Sequence, residues 1–583
     1  MKIISIAFAL LFVFTQAQSQ QAELEQAKKI ADYWKEANLQ SKDIEKYVNE
    51  KNCSTTSQVY YGCYRAVATL VALTSADENI RLARVGSAMA PWETTTDQVF
   101  GTFEIRGLNV KAIPSELSFE QRTQEREEDA KESALLATLF NKPASTKDLI
   151  KVLSATLSKL PAEKKSQIIA AALNNYYIYG VDAHAHAHTQ QEYRDMMTPD
   201  ANTVRFYGIG AMLQASEQKK LMIAESLTGS SAEAAGLKPG DIIIAVNGEV
   251  VPDIVKPEIQ NQTIDKIRGP LDTEVKLLIR RKTEELEVVL KRRPVAVETI
   301  EGKILTSKNG TKSVYILVRD FMKPGMCSEF TKKIAELGRA ANTNNIIIDL
   351  RGNGGGLMSE ALCMAGVFLP EPGPLLKVWD LEVNSFTSTY VYTQNAVLED
   401  NGLFGKRMIS RPVANFSEVL EGKPILVLIN AGSASASEIF SGIVQDYGVG
   451  ITIGQRSYGK ATVQSPEDYT TASGVTLKMF RTIQRFHLPS GRTNQISGIT
   501  ADIEAYRSPN PKPEDTFAMR EADLFSHAVL AAENNYETQE SIKSASAECM
   551  TKTKPAAVFE ETKADIGIAD YPKIVALELA SCL

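Results

Sequence analysis

ILVLINAGSASASEIFSGIVQDYG, residues 425–448, passes from an unbroken apolar stretch through a small-residue turn into an amphipathic stretch. Ile425–Asn430 reads as a buried strand and Ser437–Tyr447 as a helix. A strand, a tight turn and a helix form the repeating unit of an α/β core. The same alternation continues on both sides, with Val314–Val318, Ile346–Asp349 and Val449–Gly454 as buried strands. Glu329–Leu337 and Glu360–Phe368 read as helices between them. Ser435 stands at the turn, and Ser435-x-x-Glu438 has the spacing of a capping box. That box alone predicts a helix cap without chemistry. The position also suits a nucleophile, because the Ala436 N–H at a helix start is free and lies at the positive end of the dipole. An oxyanion is stabilised there.

Two further stretches extend the candidate site. IIIDLRGNGGG, residues 346–356, is a strand followed by a Gly-rich turn, which lets backbone N–H groups point inward. Gly355 is the candidate second oxyanion donor, with Gly354 beside it. No GK[ST] follows, so the turn is not a phosphate loop. GQRSYGKATVQ, residues 454–464, carries Lys460 and Gln464. A free lysine has a pKa near ~10.4 and is a poor base at neutral pH, but burial lowers that value. Gln464, four residues on, is placed to orient the amine. Ser435, Lys460 and Gln464 form a hydrolase arrangement in which lysine takes the hydroxyl proton. His487 and His527 are the alternatives for a Ser-His-Asp scheme, yet no G-x-S-x-G elbow accompanies them.

Upstream, FYGIGAMLQ (206–214), GLKPGDIIIAVNG (236–248), KIRGP (266–270) and EVKLLIRR (274–281) mark a β-rich module at about 205–293. Leu-Lys-Pro-Gly-Asp makes a turn, and Asn247-Gly248 a hairpin. This run resembles a PDZ domain. Such domains add an extended peptide as a strand and hold its terminal carboxylate on loop N–H groups. By resemblance that loop is Tyr207, Gly208, Ile209 and Gly210. DAHAHAHT, residues 182–189, would put His184, His186 and His188 on one face of a strand. That is a candidate metal site, but it lacks HExxH or an acidic ligand at helical spacing.

The remainder bounds the class. The chain has 583 residues and a net charge of −7, which does not point to nucleic acid or an anionic membrane. Lys2, the apolar run Ile3–Phe14 and Thr15-Gln16-Ala17 read as a signal segment ending at residue 17, with Ser19 as a second cut position. This predicts an exported protein, periplasmic or secreted. Six cysteines fit export, and proximity pairs Cys53–Cys63, Cys327–Cys363 and Cys549–Cys582. Residues 20–180 read as helical, including an acidic face at Glu125–Glu132 and a cap at Ser145-x-x-Asp148. Pro509–Pro513 reads as a linker, and 515–583 as a helical C-terminal segment.

SASASEIFSGIVQDYG…IGQRSYGKATVQ resembles the signature of the C-terminal processing, or tail-specific, serine peptidases. The Ser-to-Lys gap of 25 residues and the Lys-to-Gln gap of four are those of that family. DLRGNGGG is similar to its DLRNNPGG segment, placing Gly355 on the oxyanion glycine. FHLPSGRTNQISGITADI is similar to its YTPSGRSIQGKGITPDI region, and DAHAHAHT stands near its DPHT segment. Ala461, Ala501 and Gly352 depart from the pattern. Asp446 matches a family aspartate and reads as structural. The resemblance covers roughly 180–505. It implies a multidomain α+β and α/β protein: a PDZ module between a helical N-terminal region and a crotonase/ClpP-like core, built from 181–204 and 294–505. It also implies Ser435 as nucleophile, Lys460 as base, Gln464 as its partner, and Ala436 and Gly355 as oxyanion donors. Arg268 would couple PDZ occupancy to the core. No metal or organic cofactor is implied. The expected partners are proteins or peptides with free apolar C-termini, with an adaptor protein and a homodimer as further candidates. A non-catalytic peptide- or ligand-binding protein on the same scaffold is the alternative.

Overall fold

A computed structural model of the chain describes residues 39, 41–54, 59–73, 145–160, 162, 165–177, scattered positions in 182–194, 207–511 apart from short gaps, 521, and 537–583 apart from 567–568. The Ile3–Phe14 run, the Glu125–Glu132 run and His527 lie outside the described residues. Among the described residues no helix is long and apolar enough to cross a membrane.

The chain centres on a six-stranded sheet. Lys312–Val318, Ile346–Asp349, Ile425–Ile429, Gly450–Gly454 and Ile503–Glu504 run parallel in that order, and Ile300–Thr306 joins antiparallel beside Lys312–Val318. IIID and ILVLI show no polar alternation because both of their faces are covered. On one face Ile346, Ile348 and Val427 pack with Phe330 and Phe440 from the helices Met326–Ala341 and Ala436–Asp446, and with Phe368 just past the end of the helix Met358–Gly366. On the other, Ile347, Leu426 and Ile453 pack with Phe559, Val575 and Leu579 of the C-terminal helices. Alternate residues of one strand thus serve two cores.

The helix expected at Glu329–Leu337 is longer, Met326–Ala341. Its start is capped from elsewhere in the chain: Glu360 accepts from Gly325 N–H and Cys327 N–H, both at 2.8 Å. Such a cap has no local sequence signal. The three disulfides join the pairs that proximity favoured, and Cys327–Cys363 links the first two helices of the core.

A seven-stranded antiparallel sheet lies beside the core. Its long strand Thr476–His487 pairs with Thr462–Thr470, with His186–Thr189 and with Gly373–Asp380. The PDZ-like module forms its own sheet in the order Ala211–Ala215, Leu221–Ser226, Ile242–Val246, Glu274–Arg281, Glu284–Lys291. Asn247 at φ +52° and Gly248 at φ +85° form the expected hairpin turn. Buried Asp241 after the Pro-Gly turn accepts from Arg281 Nε and Nη2, each at 2.7 Å. Nearer the N-terminus, helices Tyr60–Leu73, Thr146–Leu157 and Lys165–Tyr176 bury Leu70, Leu153 and Ile169 together. Ser145 caps the second of these by accepting from Asp148 N–H at 3.2 Å.

Candidate active site

Strand Ile425–Ile429 delivers the chain to a turn that is nearly saturated with hydrogen bonds. Asn430 Oδ1 accepts from Gly352 N–H at 2.9 Å and from Gly432 N–H at 3.0 Å. The Ser433 hydroxyl donates to Leu350 O and the Ser437 hydroxyl to Asn353 O, both at 2.8 Å. Two serines of SASAS therefore sew this turn to the Gly-rich turn. Ser435, between them, has φ +56° and ψ −112° and makes no side-chain cap bond. A non-Gly residue there is strained, and such strain persists only where the surroundings over-determine it. Glu438 holds it, accepting from Ser435 N–H at 2.8 Å. The Glu438 N–H goes instead to the Ser435 carbonyl at 2.9 Å.

Glu438 is more than a cap residue. Its carboxylate is fully buried and receives four donors. Oε2 takes Ser435 N–H at 2.8 Å and Lys460 N–H at 2.9 Å, while Oε1 takes Ser457 Oγ at 2.5 Å and Gly459 N–H at 2.8 Å. Because Ser435 and Lys460 share one oxygen, at 2.8 and 2.9 Å, their backbone nitrogens are held within two hydrogen-bond lengths of each other. Burial pushes the Glu438 carboxyl up to about 7, against four hydrogen bonds that favour the anion.

The Lys460 amine is enclosed. Burial lowers its pKa to about 8, while the nearby Glu521, Glu438 and Asp182 carboxylates oppose that shift. Nζ donates to Thr462 O at 2.9 Å and to Gln464 Oε1 at 2.6 Å. A neutral amine has two N–H bonds, so both are spent here and the lone pair is left to accept a proton. Gln464 Nε2 donates to Thr482 Oγ1 at 2.8 Å, which fixes the orientation of the amide.

Gly355 packs against the serine. A Cβ built there would stand 2.8 Å from Ala434 O, 2.8 Å from Ser435 Cβ and 3.0 Å from Ala436 N. With φ +103° as well, the position accepts only glycine without strain. Its N–H donates to Asn353 Oδ1 at 2.9 Å. Serving an oxyanion would require that bond to be exchanged. The Ala436 N–H has no partner among the described residues. Just before the Gly-rich turn, Arg351 is clasped by Asp349 and, bidentately, by Asp570 of the C-terminal segment at 2.8 and 2.9 Å.

The remaining candidates lie elsewhere. Tyr207–Gly208 pairs with Arg293–Pro294, and Gly210 at φ +71° packs on Ser230. Ile209 O and Gly210 O accept from Ala232 N–H and Leu227 N–H, and this loop borders a cavity of ≈ 490 Å³ that Arg319 and Lys333 also line. Arg268 is exposed and pairs with Asp265 at 3.6 Å. Asp446 is taken by Arg492 at 2.8 Å, and the His487 ring by Gly491 O at 3.1 Å, so these two hold structure around the site. His184 Nε2 meets Glu521 Oε1 at 3.0 Å, while the side chains of His186 and His188 lie outside the described residues. The sequence reading missed Glu438 beyond its cap role, as well as Thr482, Gln495 and Glu521. Only Glu438 carried a local signal.

Comparison with known proteins identifies two regions of the chain. Residues 312–505 match peptidase family S41, and residues 222–281 match a PDZ domain. A probable CtpA-like serine protease of Staphylococcus aureus strain COL is 30% identical over 323 residues, covering 54% of this chain and 57% of that protein. A tail-specific protease of Haemophilus influenzae is 30% identical over 305 residues, covering 51% of this chain and 40% of that one. The chain thus spans only about half the length of the curated relatives it matches. Among solved structures, a photosystem II D1 C-terminal processing protease aligns at 19% identity and TM-score 0.32, over 61% of this chain and 86% of that one. The chain carries a peptidase family S41 domain together with a PDZ domain.

Proposed function

We propose that this chain is an exported serine endopeptidase that engages the free, apolar C-terminus of a protein through its PDZ domain and cleaves it with a Ser-Lys pair. One observation carries the reading: the buried Glu438 carboxylate fastens the backbones of Ser435 and Lys460 to a single oxygen. The neutral Lys460 amine takes the Ser435 hydroxyl proton as Oγ attacks the peptide carbonyl. The Ala436 N–H, and the Gly355 N–H once released from Asn353, stabilise the oxyanion. Collapse breaks the C–N bond, and the Lys460 ammonium returns its proton to the leaving amine. The acyl-enzyme ester is then hydrolysed by a water that Lys460 deprotonates. Gln464 and the Thr462 carbonyl hold the amine in the productive rotamer.

The parallel sheet with helices on both faces supports a crotonase/ClpP-like core. The disulfides support export to an oxidising compartment. The loop Tyr207–Gly210 supplies the carboxylate cradle, and Arg268 relays its occupancy. The test is cleavage of an unfolded protein ending in an apolar residue by wild type, Ser435→Ala and Lys460→Ala. Both variants should lose activity by a factor on the order of 10⁴ or more. Equal rates in all three would sink the mechanism. If Arg268→Ala leaves peptide-stimulated cleavage unchanged, the relay role is discarded.

A further inference from the structure

The mechanism leaves the acidic and histidine residues of DAHAHAHT without a task, yet both described side chains lead to Lys460. Asp182 Oδ2 accepts from Thr482 N–H at 2.5 Å, and Asp182 Oδ1 from the Thr482 hydroxyl at 2.8 Å. Thr482 Oγ1 in turn accepts from Gln464 Nε2 at 2.8 Å, and Gln464 Oε1 receives the Lys460 amine at 2.6 Å. His184 starts a second arm. Its Nε2 meets Glu521 Oε1 at 3.0 Å, the same oxygen accepts from Gln495 Nε2 at 2.8 Å, and Gln495 Oε1 accepts from Ala461 N–H at 2.7 Å. The Glu521 N–H donates to Tyr458 O at 3.2 Å. Glu521 is therefore fastened on both sides of residue 460. The arms share a root, since Asp182 Oδ1 also accepts from His184 N–H at 2.9 Å.

When the lysine takes a proton, an ammonium forms in an enclosed place, and an anion must face it. Three carboxylates act on it through their charge: Glu521, Glu438 and Asp182. Glu438 has both oxygens committed to four donors, and Asp182 is committed to three. Glu521 is fully buried, and its Oε2 has no hydrogen-bond partner among the described residues. A buried carboxylate oxygen left unpaired is costly, and that cost is offset if a positive charge appears beside it.

We propose that Glu521, fastened by His184 and Gln495, is the positioning residue that balances the charge Lys460 acquires, and that Asp182 and His184 together form the mount of the base. The proposal rests on Lys460 being the base. Glu521 acts through the lysine and does not touch the substrate. Removing its charge makes the ammonium harder to form, so the lysine loses its proton at lower pH and returns it less well oriented.

The experiment is the pH dependence of kcat and kcat/KM for the full chain on a fluorogenic peptide with an apolar C-terminus. The enzymes are wild type, Glu521→Gln, His184→Gln, His184→Ala and Lys460→Ala, with near-UV circular dichroism to verify folding. In Glu521→Gln the acidic limb should move to lower pH by about one unit, and kcat should fall about tenfold or more while KM stays within about twofold. His184→Gln keeps an N–H donor and should stay near wild type, whereas His184→Ala should follow Glu521→Gln. A folded Glu521→Gln whose limb does not move overturns the proposal. Should that variant not fold, an unmoved limb in His184→Ala overturns it equally. If Lys460→Ala keeps wild-type rates, the base assignment itself fails, whatever the limbs do.

Discussion

Ser435 and Lys460 share Glu438 but are otherwise fixed by different means. The serine is held by its own neighbourhood. It has a strained backbone, a carboxylate three residues on and small residues that let the Gly-rich turn approach. The lysine has little local support beyond Gln464 and Thr462. Its surroundings come from Asp182, Thr482, Gln495 and Glu521, brought together by strand pairing and loop packing. A nucleophile must be presented at one point, which a rigid turn does well. A buried amine must be kept neutral, oriented and rechargeable, and that requires groups on every side of it.

The comparison can be broken most severely at its two centres. Ser435→Ala and Lys460→Met should each lower kcat by a factor on the order of 10⁴ or more, but stability should separate them. The folded lysine has a pKa of about 8 against an ordinary value of 10.5. Its protonated form therefore penalises the fold below pH 8, and the penalty fades as pH rises from 8 to 10.5. Lys460→Met should thus melt higher than wild type at pH 7, with the gain shrinking toward pH 10.5. A gain that does not shrink would contradict the enclosed amine.

Next in size is Gly355→Ala. The added Cβ meets Ala434 O and Ser435 Cβ at 2.8 Å, at φ +103°. Turnover should fall about 10²-fold or more, with a melting temperature several degrees lower. Unchanged kinetics would mean that the two turns move independently.

Glu438→Gln sharpens the shared anchor. The amide keeps the shape but loses the charge that four donors face, so kcat should fall about tenfold. In wild type, kcat/KM should rise with pH through two ionisations near 7 and 8, as Glu438 loses its proton and then Lys460 becomes neutral. The variant should retain only the upper one, and a profile flat between pH 6 and 9 would reject both assignments.

The smallest effect is expected at Asp570→Asn. Burial raises the Asp570 carboxyl, but the Arg351 guanidinium outweighs this and holds it well below the usual carboxylate range. Its ion pair is present above the ordinary carboxylate pKa and is lost as pH falls through the lower folded value. The variant should lose about 1–3 kcal/mol at pH 7, measured by denaturant unfolding, and turnover should fall only a few-fold. A larger kinetic loss would move the C-terminal segment into the serine side of the comparison.

The same difference explains what was legible in the chain. ILVLI and IIID mark strands with both faces buried, and NAGSASASE and RGNGGG mark the turns after them. These are local patterns in which small residues stand where backbones approach. Lys460 and Gln464 stood out only through a spacing that resembles the family's. Glu438 was legible only as a cap, because no local pattern reports that Ser457, Gly459 and Lys460 turn their donors toward it. His184 and Glu521 lie 337 residues apart, and Asp182 and Thr482 lie 300 apart. Contacts at that range depend on how a strand hairpin and a loop close over the core, so neither motif pattern nor hydrophobic period announces them. The three histidines offered a metal stripe as a candidate for the same reason: their alternation is local, whereas the carboxylate that engages His184 is not.

The clasp between Arg351 and Asp570 also sets a schedule. The two residues are separated by 219 positions, so the Gly-rich turn is made long before its fastening exists. At roughly 5–20 residues per second, translation takes about ten to forty seconds to cover that distance. Ser435 and Lys460 are both made within that interval, so for its last 110 residues the nascent chain holds them and the turn without the clasp that steadies them. By then every strand of the six-stranded sheet has been made, so the C-terminal segment closes over a sheet whose sequence is already complete.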